Sequence, residues 1–344
     1  MNLNVVLPLG SSLLSFVFFT FLIDQWRERR RPYQLVWALG MLWYALSAGT
    51  EFLGGAVGWS EPLYRLWYLI GAIWVAGWLG LGTVLLLART RFGYAFALSV
   101  LLAGLFTYLS YAKYHYADSG IAPSLYGVTG LVLAVTTVVM TWRGDHRWSN
   151  LAAAVVVVGS GIAAVMMVTA PLYAGSYVDA RTHIPTGELL PGYIRLLTPF
   201  FNITGAFALV FGGLFSAYVF MPKRRVIDYT LRRGQPISQL VVNLALGLVA
   251  FPANLVASLP GALGALAGGR LNSRVPATVL IAIGGLIPAI TSGANRFGET
   301  SGFFVGEFLG VVFLFAGFLV SVEVFREIRI PFTHVVLRTR AEVA

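Results

Sequence analysis

Residues 3–32 read LNVVLPLGSSLLSFVFFTFLIDQWRERRRP, an apolar run that ends in a cluster of arginines. The apolar part, residues 3–23, has about the 20 residues that a helix needs to cross a bilayer. No positive charge precedes it and four arginines follow it, which is the reverse of a cleavable signal peptide. We therefore predict a retained first span with its arginine end in the cytoplasm and the amino terminus outside, following the positive-inside rule.

Apolar runs of this length recur through all 344 residues of the chain. Hydrophobic residues make up 58% of the chain and charged residues 11%, whereas soluble domains carry roughly 25% charged residues. The predicted fold class is therefore all-α, a polytopic integral membrane helical bundle whose main partner is the lipid bilayer. The net charge is +10, but the 24 Lys and Arg fall in short clusters between apolar runs. Such clusters are typical of orientation signals and anionic-lipid contacts, so we expect no nucleic-acid partner.

Residues 1–221 are predicted to form a seven-helix module with an extracytoplasmic amino terminus, in a plasma (inner) membrane. Spans two to seven are predicted at residues 35–57, 64–88, 92–112, 126–142, 150–173 and 196–221. Up to residue 237, thirteen Lys and Arg lie in the predicted inner segments and four in the outer ones. Residues 222–236, PKRRVIDYTLRRGQP, are predicted to form a basic cytoplasmic linker.

Residues 237–325 are expected to add two to three further membrane segments. Residues 237–268 are apolar but contain Pro252 and Pro260, and proline interrupts a straight helix. We favour a broken or re-entrant hairpin here that returns to the cytoplasmic side, while a full crossing is the alternative. Spans at 276–292 and 303–325 would follow, leaving residues 326–344 as a cytoplasmic tail that is interfacial or disordered.

The second span carries polar residues on one helical face. Trp37, Gly40, Tyr44, Ser47 and Glu51 follow a three-four spacing, so this face should turn away from lipid. The carboxyl group would lie roughly 10 Å from the outer end of the span at 1.5 Å per residue, where it needs a partner. Arg65 at the start of the next span is the nearest candidate, and we predict that the two residues pair. Such a pair would either serve a ligand site or hold two helices together.

The third span repeats the three-four spacing with large and small residues. Trp67, Gly71, Trp74, Trp78 and Gly82 are expected on one face, where glycines admit a neighbouring helix and tryptophans fill the crevice. The alternative is that this face, with Trp74, forms a wall for an apolar ligand.

Polar residues of later spans are predicted at the same outer side. Asn202 should bond to another helix at its depth in the seventh span. Residues 284–307, GGLIPAITSGANRFGETSGFFVGE, concentrate glycine, hydroxyl and charged residues at a membrane boundary. We predict that Arg296 and Glu307 line an outer-facing polar pocket together with Glu51, and a local clasp between two helices is the alternative.

Several chemistries are excluded by residue type and position. The two lysines, Lys113 and Lys223, lie in predicted loops, so no retinal Schiff base can form inside the membrane. The four histidines lie outside the spans, which excludes paired haem ligation in the bundle, and the chain has no cysteine for an iron–sulfur cluster or a thiolate metal site. We expect no cofactor, no metal site and no catalytic residue.

The leading functional hypothesis is a transporter-like or permease-like protein that binds a small or lipidic ligand in a polar cavity open to the outer leaflet. The residues predicted to bind that ligand are Tyr44, Glu51, Arg65, Trp74, Asn202, Arg296 and Glu307. The alternative is a membrane receptor or scaffold, in which the seven-helix module senses a ligand and the carboxy-terminal segments dock a protein partner.

Overall fold

A computed structural model describes residues 3–296, 299, 302–321, 328–333 and 336–338. Within these residues the chain forms eleven α-helices, one π-helical segment and one pair of short strands. The helices are α1 (Leu3–Arg29), α2 (Pro32–Val57), α3 (Glu61–Trp67), the π segment (Tyr68–Trp74), α4 (Val75–Leu87), α5 (Phe92–Tyr114), α6 (Ala122–Arg143), α7 (Trp148–Thr169), α8 (Gly192–Phe220), α9 (Ile237–Ala267), α10 (Arg274–Arg296) and α11 (Phe303–Val320). In the carboxy-terminal tail, β1 (Ile328–Arg329) pairs antiparallel with β2 (Val336–Arg338).

The predicted all-α polytopic helical bundle is confirmed. Nine helices of the described chain are long and apolar enough to cross a membrane, with α3, the π segment and α4 counted as one helix from Glu61 to Leu87. α2 is not among the nine although it has 26 residues. Its tryptophan, tyrosine, serine, threonine and glutamate residues lower its mean hydropathy and, as described below, form part of a buried polar site.

The outer surface of the bundle is apolar, and the helices meet through small residues. On α7, for example, Val158 is 61% exposed and Val168 is 75% exposed, as expected of side chains that contact lipid. α4 and α8 cross at Gly80 and Gly205, where a methyl group added to Gly205 would collide with the carbonyl oxygen of Ala76. Such close backbone approach is how membrane helices gain packing energy without a hydrophobic driving force.

One side of the bundle, which we call the loop side, carries the long loop of residues 170–191. The Asn4 side chain at the start of α1 donates to the carbonyl oxygen of Thr182 at 2.7 Å, and Ile184 packs with Phe303 at the start of α11. Bonds from the Thr182 N–H and hydroxyl group lower the pKa of Asp179 in this loop. The loop is therefore held against the bundle by specific contacts.

The opposite side, which we call the basic side, carries the arginine clusters that follow α1, α4 and α6 and the linker at residues 222–236. The end of α11 meets the end of α1 here, with the Phe18 and Phe318 rings 4.6 Å apart. The guanidinium group of Arg27 lies 5.0 Å from the Phe332 ring, which places the carboxy-terminal strand pair on the same side. The cytoplasmic location of this side stays a prediction.

The structure departs from the predicted hairpin at residues 237–268. α9 is a continuous helix of 31 residues with Pro252 and Pro260 inside it. Each proline removes one backbone donor. The helix nevertheless continues through both prolines, because the other backbone groups stay bonded within it. Both ends of α9 nevertheless lie on the basic side, since the segment before it bonds to Trp142 at the end of α6 and Ala262 packs with Met221 at the end of α8.

Candidate functional site

The candidate site is a cavity of about 580 Å³ between α2, the π segment, α4, α5, α8, α10 and α11, which we call the loop-side cavity. Its polar lining residues are Tyr44, Ser47, Thr198, Asn202, Ser292 and Glu307. Its α5 wall is apolar and includes Leu105 and Leu109, which are 51% and 55% exposed. Because these leucines belong both to the cavity wall and to the outer surface, the cavity opens sideways toward lipid.

The polar face predicted on α2 supplies one wall. Trp37, Tyr44, Ser47 and Glu51 are all buried, so this face is turned away from lipid as expected. Tyr44 and Ser47 line the cavity, and Glu51 lies one turn farther toward the loop side. The regular periodicity of α2 thus brings its costly side chains to a single buried surface.

A pair of carboxyl groups is the central feature of the site. Glu51 is 1% exposed, its Oε1 accepts a hydrogen bond of 2.7 Å from the Trp67 indole N–H, and it lies within hydrogen-bonding reach of Glu307 on α11. The Oε2 atom of each carboxyl group is buried and faces no hydrogen-bond donor within the described part of the chain. Two ionised carboxylates repel strongly in such a setting, so protonation of at least one of them would relieve the pair.

Glu307 also connects this pair to the cavity. Glu307 is half-buried and lines the cavity, whereas Glu51 lies behind it. The Tyr44 hydroxyl donates a hydrogen bond of 2.8 Å to the backbone carbonyl of Glu307, which fixes α11 against α2 at this level. A proton taken up from the cavity would therefore reach Glu307 first.

Asn202 differs from expectation in a way that bears on binding. We predicted that its amide bonds to another helix, but no hydrogen bond of this side chain is found within the described residues. The neighbouring Thr198 is engaged, because its hydroxyl donates to the Tyr68 hydroxyl at 2.9 Å. The Asn202 amide therefore faces the cavity with its hydrogen-bonding capacity unused, as a ligand-binding amide would.

Trp74 does not line the cavity, although Gly71 in the π segment before it does. Gly71 lines the cavity beside α2, where a methyl group on it would collide with the Ser47 hydroxyl. Trp74 and Trp78 lie between α2 and α7, with their rings 4.9 and 6.4 Å from the Trp43 ring of α2. Their indole N–H groups donate to the carbonyl and hydroxyl oxygens of Ser160. The predicted face from Trp67 to Gly82 contacts α2 along its length, with Gly71 against Ser47, Gly82 against Trp37, and Trp74 and Trp78 against Trp43. The glycines admit the neighbouring helix and the tryptophans fill the crevice, so Trp74 is a packing residue.

The predicted pair of Glu51 and Arg65 is also wrong. Arg65 makes an ion pair with Glu61 one turn earlier, with a distance of 2.7 Å between Nη2 and Oε1. Its guanidinium group also donates to the carbonyl oxygens of Met167 and Ala170, at 2.9 Å for the latter. These carbonyl groups at the end of α7 have no partner within their own helix, so the arginine caps α7 instead of pairing with Glu51.

Arg296 ends α10, and its side chain lies outside the described residues. The structure thus brings Tyr44, Asn202 and Glu307 to the cavity wall and places Glu51 directly behind them. The lateral opening could not be predicted from the sequence, because Leu105 and Leu109 have the pattern of ordinary lipid-facing leucines. Trp67 was interpreted as a packing residue, although it donates to the buried carboxyl pair.

No cluster of three or more metal-ligating side chains occurs among the residues that the structure describes. Comparison of the chain with protein-family models, with curated proteins and with solved structures finds no match in any of the three.

Proposed function

We propose that this protein is a transporter-like membrane protein that binds a lipid-like amphiphile in the loop-side cavity and carries a proton on Glu51 and Glu307. The observation that carries the proposal is the Glu307 carboxyl group in the wall of a cavity that opens to lipid. A carboxyl group inside a membrane is costly, and such groups in membrane proteins generally serve ligand or proton pathways.

The distribution of polarity in the cavity supports an amphiphile as the ligand. The α5 wall is built from leucines and Phe106, and would accept an acyl or isoprenoid chain. The opposite walls carry Ser47, Asn202 and Ser292, whose side chains have no hydrogen-bond partner within the described residues. These groups would bind a small polar headgroup that enters with its chain still in the bilayer.

The proximity of the two carboxyl groups supports coupling to protons. A pair that shares one proton can lose it or take up a second when a charged headgroup arrives, so binding and protonation would influence each other. Gly71 lets the π segment approach α2 closely beside the cavity. Such π segments occur frequently at functional sites.

Binding can be tested by extracting the protein directly into lipid nanodiscs and recording native mass spectra of retained lipids. The variant Ala206→Trp places a large side chain in the cavity wall, and Ala154→Trp on the exposed surface of α7 is the matched control. We expect a retained amphiphile in the wild type and in Ala154→Trp that is lost from Ala206→Trp. Equal retention by both variants would reject the cavity as the binding site.

Transport requires a separate test in vesicles that contain a trace of phospholipid with a fluorescent acyl chain. Dithionite bleaches only the outer leaflet, so it reports movement of the labelled lipid across the bilayer. We expect the purified protein to accelerate this movement when a pH difference is imposed, and Glu307→Gln to abolish the effect of pH. Retention of a ligand without movement, with or without a pH difference, would reject transport and favour the receptor hypothesis.

A further inference from the structure

The linker at residues 222–236 is held along α9 by buried polar side chains. Asn254 is 1% exposed, its Oδ1 accepts from the N–H groups of Val226 and Ile227 at 2.8 and 3.0 Å, and its Nδ2 donates to the carbonyl of Ile227. The hydroxyl of Ser258, also 1% exposed, accepts from the N–H group of Arg224 at 2.9 Å. The linker therefore has a fixed position and is part of the fold.

This assembly is attached to the basic side of the bundle at two places. The Trp142 indole N–H at the end of α6 donates to the carbonyl of Gln235 at 2.9 Å. In the middle of α9, the ring of Phe251 packs edge-on against Tyr218 of α8, with centroids 5.5 Å apart. The linker and α9 thus form a wall that faces α5, α6 and α8 across a gap.

That gap is a cavity of about 840 Å³, which we call the basic-side cavity. Its inner walls are apolar side chains of α5, α6, α8 and α9, such as Leu98 and Val135. Its lining also includes three cations, Arg91 at the start of α5 and Lys223 and Arg225 in the linker. All three are exposed, so the positive charge is concentrated at the mouth of an apolar cavity.

The charge at this mouth is not neutralised by the protein. No ion pair joins Arg91, Lys223 or Arg225 to a carboxylate within the described part of the chain. The apolar inner walls offer water few hydrogen-bond partners. A molecule with a negative headgroup and long apolar chains would complement both parts of the cavity, as anionic lipids do in basic pockets between membrane helices.

We propose that the basic-side cavity binds one anionic phospholipid, with its phosphate group held by Arg91, Lys223 and Arg225 and an acyl chain lying against α5, α6 and α9. This site is separate from the loop-side cavity and does not depend on the function proposed for it. The linker supplies two of the three cations, so its attachment to α9 by Asn254 builds the site.

The test uses full-length protein in nanodiscs or detergent, with phosphatidylglycerol and phosphatidylcholine of identical acyl chains as probes. We expect one phosphatidylglycerol per chain to be retained in native mass spectra and phosphatidylcholine to bind at least ten-fold more weakly. Arg91→Gln, Lys223→Gln and Arg225→Gln should each weaken retention about five-fold, the effect expected for one cation near a lipid headgroup. Arg224→Gln is the matched control, because Arg224 is also an exposed linker cation but does not line the cavity.

A second pair of variants tests the acyl-chain part of the site. Ala245→Trp fills the cavity from α9, whereas Ala267→Trp changes an exposed alanine of the same helix outside the cavity, and only the former should reduce retention. Equal binding of the two lipids, or equal losses in Arg224→Gln and Arg225→Gln, would reject the site in favour of general charge attraction. Displacement of the lipid by glycerol phosphate alone would instead identify a soluble phosphate as the ligand. The unfolding temperature of each variant in lipid-free detergent shows whether a loss of lipid retention results from misfolding.

Discussion

The protonation of the carboxyl pair can be tested through the hydrogen bond that Trp67 donates to Glu51. If Glu307 keeps the shared proton, Glu51 is the ionised partner, and the indole N–H donates to a charged oxygen over 2.7 Å in a fully buried site. Trp67→Phe removes this donor. It also removes indole volume, which costs packing energy in any background.

The expected magnitudes follow from the charge of the acceptor. A hydrogen bond to a charged group contributes about 2 kcal/mol to stability and a neutral one about 1 kcal/mol. Trp67→Phe should therefore cost about 1 kcal/mol less in a Glu51→Gln background, in which the amide oxygen still accepts but carries no charge. The packing loss is common to both backgrounds and cancels in the double-mutant cycle.

The assay is reversible unfolding of the four proteins in mixed detergent micelles, followed by the free energy of unfolding. Trp74→Phe is the control, because its N–H donates to the neutral carbonyl of Ser160 at 3.3 Å and should show no coupling to Glu51. A Trp67→Phe cost that is the same in the wild-type and Glu51→Gln backgrounds would show that the Glu51 carboxyl group is uncharged, and would refute the case in which Glu307 holds the proton and Glu51 is ionised.

Three further outcomes are expected. Arg65→Gln should lower the free energy of unfolding by about 2 kcal/mol, because the end of α7 loses two charged donors. Glu61→Gln should lower it by less than about 0.5 kcal/mol, because this carboxylate is 54% exposed. Equal losses in the two variants would contradict the capping role of Arg65. Asn254→Ala should free the linker and raise the rate of trypsin cleavage at its arginines about thirty-fold, which corresponds to about 2 kcal/mol, and unchanged cleavage would show that the linker is held elsewhere. Reporters inserted at Thr182 and after Arg233 should give extracytoplasmic and cytoplasmic signals respectively, and the opposite pair of signals would reverse the predicted orientation.

The parts of the site that could be predicted are those that depend on regular helical periodicity. The face of α2 from Trp37 to Glu51 is buried as the three-four spacing requires, because α2 is a regular helix. Glu307 could be placed near the same level, since its depth follows from its distance to the start of α11. Hydropathy predicts the long apolar helices, because a chain inside the membrane must bond its backbone groups internally and does so by forming helices.

The predictions fail where a contact depends on features of the fold that the side-chain pattern does not show. Trp74 was included among the ligand-binding residues because the side-chain pattern does not show whether a tryptophan on this face fills a helix contact or lines a cavity, and it packs between Trp43 and Ser160. Arg65 was paired with Glu51 because the carbonyl acceptors at the end of α7 have no sequence signature. The hairpin expected at residues 237–268 was wrong because Pro252 and Pro260 were expected to interrupt the helix, whereas α9 is continuous through both of them.

The two cavities lie on one continuous face of α5 and α8. Along α5, Leu101 lines the basic-side cavity and the next residue, Leu102, lines the loop-side cavity. Along α8, the loop-side cavity ends at Phe207 and Leu209 and the basic-side cavity begins at Phe211, whose ring lies 5.2 Å from that of Phe207. The two rings are tilted by 33° and stand between the cavities, with Phe207 in the wall of the loop-side cavity and Phe211 in the wall of the basic-side cavity. A lipid that moved along this face would have to pass these rings, so substitutions at this pair test such movement without changing the carboxyl pair or the cations.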